Sequence, residues 1–112
     1  MVQSVGAAGF AVEGRAYAAL LMTPEQVMPW SPPALAELAV ADLEAVLALD
    51  PLPEFLILGT GSAHRFPPRD LVAALEARGV GIEVMDSRAA ARTWGLLRGE
   101  ERWIAAAIMP LA

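Results

Sequence analysis

The chain has 112 residues, a formal net charge of −5, one histidine and no cysteine. That length suits a single domain over residues 1–112, with a core large enough to fold without disulfide or metal staples. The acidic balance does not suit phosphate neutralisation, which argues against nucleic acid as a partner, and no apolar run approaches the ~20 residues a membrane span needs.

Residues 1–7 show no clear period and are expected to fray. Gly9–Gly14 and Arg15–Met22 read as two strands of an N-terminal β-hairpin, turned at Glu13-Gly14. Thr23-Pro24 ends the second strand, and residues 24–34 read as a proline-studded loop in which Trp30 either caps an edge of the core or anchors a partner. Leu35, Leu38, Val40, Leu43, Val46 and Leu47 recur at helical spacings, so 34–40 and 41–49 are predicted as two short helices, the second capped by Asp42.

Phe55-Leu-Ile-Leu58 is an unbroken apolar run between Pro53 and Gly59, which reads as a buried strand. A glycine turn follows. Pro67 and Pro68 open a helix with Leu71, Val72 and Leu75 on its buried stripe, and Gly79 ends it. Gly81–Met85 is the next strand, so 55–85 reads as a βαβ unit with parallel pairing. Asp86 or Ser87 caps a short helix through Leu97, Gly99-Glu-Glu turns the chain, and Arg102–Met109 is a final strand that the tight turn favours as antiparallel.

Four constellations could carry chemistry. Gly59-Thr-Gly61 ahead of a helix exposes backbone N–H groups that suit an anion. It fails as a dinucleotide fingerprint, because His64 holds the third glycine position and Phe66-Pro-Pro68 delays the helix. Ser62, His64 and Asp86 are the residue types of an acyl-transfer triad, but the nucleophile-elbow pattern is missing. One histidine and no cysteine make no closed zinc site, so no metal is expected. Arg88 and Arg92, four apart, share a helix face beside Thr93 and repel each other, which an acidic neighbour or an anionic ligand would relieve. Both loops follow strands paired in parallel, so they should meet at one carboxyl edge.

As a set, Leu56-Ile-Leu-Gly-Thr-Gly61, Phe66-Pro-Pro68, Gly79-Val-Gly-Ile-Glu-Val-Met-Asp86, Ala89-Ala90 and Arg92-Thr-Trp94 resemble the domain of unknown function 498 family, and Tyr17 and Trp30 also match its pattern. That family includes a mitochondrial complex I assembly factor and many small bacterial proteins. The resemblance implies a three-layer α/β domain on a mixed central sheet, with the last strand antiparallel to its neighbours. It implies a role in assembly through protein contacts, with no activity to assign. Ala91 stands where family members commonly have cysteine, Trp94 where they have tyrosine or phenylalanine, and Gly95 where they have asparagine. Thiol chemistry is thereby ruled out.

The expectation is an uncharacterised bacterial protein that acts as a non-enzymatic binding or assembly module, with another protein as its partner and no cofactor. Its surface would comprise Gly59, Thr60, Gly61, Ser62, His64, Asp86, Arg88, Arg92 and Thr93. The alternative is a binder, or weak enzyme, of a small anionic metabolite at the Gly59–Gly61 turn. The lysine-free, alanine-rich composition looks like GC-rich bacterial codon bias. No basic residue opens the N-terminus, which argues against a signal peptide. With cysteine also absent, this fits the cytoplasm.

Overall fold

A computed structural model describes residues 2–6 and 9–111, with side chains from Gly9 onward. The chain forms β1 (Val2–Gly6), β2 (Gly9–Val12), β3 (Arg15–Tyr17), β4 (Leu20–Met22) and β5 (Val27–Pro29). Two 3₁₀ turns (Leu35–Glu37 and Val40–Leu43) lead into α1 (Glu44–Leu47). Then come β6 (Phe55–Gly59), α2 (Arg69–Ala77), β7 (Gly81–Met85), α3 (Ser87–Gly99) and β8 (Ala105–Ile108).

The strands make two sheets, β1-β2-β3 and the larger β5-β4-β8-β6-β7. In the larger sheet β6 pairs parallel with both β7 and β8, while β4 is antiparallel to β8 and β5. The sheet is therefore mixed. Alternation along its strands separates two cores. Leu20, Met22, Ile57, Ala106 and Ile108 face α3 and the N-terminal hairpin. Leu21, Leu56, Leu58, Ala105 and Ala107 face α2, α1 and the 3₁₀ turns. The result is a three-layer α/β domain. Leu56, Ile57 and Leu58 are all fully buried, each worth roughly 1.5–3 kcal/mol of transfer free energy.

Several sequence expectations change. Val2–Gly6 is a strand antiparallel to β2, where fraying was expected; a register shift between Val2 and Ser4 breaks the two-residue period and hides the strand from pattern reading. The parts of that expectation on Met1 and Ala7 lie outside the described residues. The hairpin turn stands at Glu13-Gly14, both at positive φ, 51° and 79°. The strand predicted over 15–22 breaks at Ala18-Ala19, where the chain leaves the small sheet for the large one. The proline-rich loop contains β5, with Pro29 on the sheet's outer edge, where a missing N–H costs little.

The helix expected at 34–40 is a single 3₁₀ turn, and 41–49 is 3₁₀ followed by one α turn. Asp42 sits inside the second turn and accepts the Ala39 N–H at 2.9 Å. Trp30 packs half-buried on the α2-side core and donates Nε1–H to the Asp42 carbonyl at 3.0 Å. The last strand is antiparallel to β4 but parallel to β6. The physical reason is α3, which at 13 residues is long enough to carry the chain back across the sheet.

Candidate functional site

Chain order decides where the loops go. From β6 the chain steps through α2 to its neighbour β7, and from β7 it returns through α3 past β6 to β8. The two crossovers run in opposite directions, so α2 and α3 cover opposite faces. Loops after β6 and β7 therefore diverge at the carboxyl edge, the topological switch point where such sheets usually open a ligand crevice.

Here that crevice is closed by hydrogen bonds. The Gly61 N–H donates to Ser87 Oγ at 2.8 Å, and Ser87 Oγ donates to the Met109 carbonyl at 2.8 Å. In return the Ser87 N–H donates to the Gly61 carbonyl at 2.8 Å. One fully buried hydroxyl thus ties together the ends of β6, α3 and β8. A Cβ added at Gly59 would stand 2.9 Å from both Ser87 Cα and Ser87 Oγ and 3.0 Å from Ala90 Cβ. Glycine at 59 lets α3 lie directly on the sheet. Gly61 has φ of 104°, a conformation that L side chains rarely adopt.

Thr60 is also used internally. Its N–H donates to the Met85 carbonyl at 2.9 Å. Its Oγ1 donates to the Ala63 carbonyl at 2.7 Å and accepts the Arg65 N–H at 3.1 Å, which folds the 60–65 loop on itself. Asp86 caps α3, accepting the Ala89 N–H at 2.9 Å; this decides the cap that the sequence leaves open between Asp86 and Ser87. The N-terminus of α3 thus carries a carboxylate, which opposes an incoming anion.

The remaining predicted residues lie outside this network. Ser62, His64, Arg88 and Arg92 are exposed and Thr93 is half-buried. The His64 ring stands edge-on to Phe66 with centroids 5.1 Å apart. Among the described residues no hydrogen bond links Ser62, His64 and Asp86, so no relay joins the triad types. Among the described residues no ion pair holds Arg88 or Arg92 either; the salt bridge there joins Arg102 to Glu54, just before β6, at 3.1 Å. The structure brings Gly59, Thr60, Gly61 and Asp86 together with Ser87. It leaves Ser62 and His64 on one exposed loop, and Arg88, Arg92 and Thr93 on α3.

Sequence reasoning saw Ser87 only as a possible cap. The signal was available in Gly59, which marks a close approach, and in a serine opening the next helix. A cleft of about 360 Å³ lies beside the turn, lined by Thr60, Gly61, Ser62 and Arg65 together with Pro32–Leu35 and Met109–Leu111. No helix among the described residues is long and apolar enough to cross a membrane.

A family model described as a protein of unknown function (DUF498/DUF598) matches residues 2–109. Assembly factor 3 of the NADH dehydrogenase (ubiquinone) 1 alpha subcomplex from Danio rerio is 28% identical over 111 residues, covering 98% of this chain and 64% of that protein. The chain thus spans less than two thirds of that relative. An uncharacterised protein of Rhodobacter capsulatus is 35% identical over 92 residues, 82% of this chain and 68% of the other. A crystal structure of a Bordetella parapertussis protein superposes with a TM-score of 0.84 at 31% identity, covering 97% of this chain and 93% of that one. An NMR structure from Xanthomonas campestris gives 0.84 at 33% identity, with 99% and 84% covered. The family match over nearly the whole chain and these similarities agree with the mixed-sheet architecture, and the chain belongs to the DUF498/DUF598 family, to which it is joined by sequence and fold alike.

Proposed function

We propose that this chain is a non-enzymatic binding or assembly module that works through protein contacts. The observation that supports this reading most is how the polar groups at the carboxyl edge are used. The Gly61 N–H, the Thr60 and Ser87 hydroxyls and one Asp86 oxygen are all hydrogen-bonded within the chain. What faces outward is Ser62, His64, Arg88 and Arg92, above this hydrogen-bonded base. These groups form no nucleophile–base pair of the kind catalysis needs. Exposed arginines without ion-pair partners among the described residues suit a protein surface that offers carboxylates. The relatives named as assembly factors support the same role by analogy, and a cytoplasmic place of action fits a chain without cysteine.

A small anionic metabolite at the Gly59–Gly61 turn is the second reading, favoured by the 360 Å³ cleft with Arg65 on its wall. Two measurements separate the readings. A thermal-shift screen of anionic metabolites should leave the melting temperature unmoved for a protein-contact module, and a saturable rise with one compound would favour the metabolite. Affinity capture from the source cell should retain a defined protein under the first reading.

A further inference from the structure

The large sheet ends on β7, whose outer side no strand covers among the described residues. Two hydrogen bonds fix the backbone direction there. The Gly81 N–H donates inward to the Glu54 carbonyl at 3.4 Å, and the Met85 carbonyl accepts inward from the Thr60 N–H at 2.9 Å. Alternation then turns the N–H and C=O of Ile82 and Val84 outward, to the open edge. The side chains of Ile82 and Val84, with Phe66, Pro67, Val72 and Ala73, line a mostly apolar cleft of about 730 Å³ on the α2 side, whose wall also holds the oppositely charged Arg69 and Glu76. Phe66 is 85% exposed, the most exposed large apolar side chain among the described residues. Open edges are usually blunted by charge, proline or a covering element. Here the strand carries one charge, Glu83, which is exposed and makes no ion pair among the described residues.

We propose that the β7 edge takes an extended segment of a partner protein as a sixth strand, apolar at alternate positions toward Phe66 and basic beside Glu83. Main-chain hydrogen bonds to Ile82 and Val84 would supply affinity, and the apolar cleft would select the alternating side chains. Charge decides the occupant. Two copies paired antiparallel over the full length of β7 would set Glu83 directly opposite Glu83 across the two-fold axis, and a net charge of −5 on each copy adds to the repulsion. A basic segment from a different protein meets neither obstacle. The lining of this cleft includes neither Arg88 nor Arg92, and its test is separate from theirs.

The probe is a synthetic nine-residue peptide of alternating valine and lysine, with a control of the same composition in two blocks, each titrated into the full isotope-labelled chain and followed by NMR. The alternating peptide should slow amide hydrogen exchange at Ile82 and Val84 by roughly tenfold or more. Phe66→Ala, at an exposed position, should weaken it by roughly tenfold. Val84→Pro removes one outward donor while keeping an apolar ring and the inward hydrogen bonds, so it should weaken the peptide without altering the fold. Glu83→Arg should transfer preference to an alternating valine–glutamate peptide.

Four results would overturn the proposal. They are unchanged exchange at Ile82 and Val84 up to about 1 mM peptide, an equal response to the block control, loss of peptide binding in Arg92→Ala, or a peptide-free dimer in sedimentation with these amides already protected.

Discussion

Gly61 and Ser87 hold each other twice, the Gly61 N–H donating to Ser87 Oγ and the Ser87 N–H donating to the Gly61 carbonyl, each at 2.8 Å. Ser87 is fully buried and its hydroxyl also donates to Met109. Ser87→Ala would strand the Gly61 N–H and the Met109 carbonyl in a dry site, at roughly 2–4 kcal/mol. Urea unfolding should show that loss, whereas Ser62→Ala on the exposed loop should stay within about 0.5 kcal/mol of wild type. Equal stability of the two variants would mean that Ser87 does not clamp the edge.

Gly59 is where α3 comes nearest the sheet. Alanine there would bring its Cβ to 2.9 Å from the Ser87 backbone, which cannot swing aside as a flexible side chain could. Overpacking of this kind costs roughly 1–3 kcal/mol. Gly59→Ala should therefore lower the unfolding midpoint without changing the denaturant slope. An unchanged midpoint would show that α3 can move off β6 freely.

Gly61→Val tests the turn itself. At φ of 104° a β-branched residue carries backbone strain of roughly 1–3 kcal/mol, and its Cβ would also lie 3.1 Å from the Pro110 carbonyl. Loss of folded protein, read by circular dichroism and by soluble yield, is the expected result. A variant as stable as wild type would refute the tight-turn geometry.

What could be read from sequence, and what could not, divides along physical lines. The Leu56–Leu58 run is buried on both faces and bounded by proline and glycine, so composition alone marks its type and place. Gly59 and Gly61 marked the turn, and Asp86 the cap, because each type has a local conformational reason to be there. Ala18-Ala19 carries no such mark, and the chain's change of sheet at that point depends on tertiary packing. β8 is antiparallel to β4 as the sequence predicts, but parallel to β6, because α3 runs on through Leu97-Arg-Gly99, a final turn without a clean apolar stripe to mark it in sequence. Ser87 escaped notice as a clamp because its partners, Gly61 and Met109, lie 26 and 22 residues away in sequence.

Arg92 carries the central claim, being exposed on α3 and without an ion pair among the described residues. Arg92→Ala should leave unfolding free energy within about 0.5 kcal/mol of wild type. The deciding measurement is quantitative affinity capture from the source cell, comparing tagged wild type with Arg92→Ala after circular dichroism has shown both folded. A protein retained by wild type and depleted roughly tenfold or more by the variant is the expected result. Identical retained sets would contradict a partner surface at Arg92, and an unfolded Arg92→Ala would make that arginine part of the scaffold.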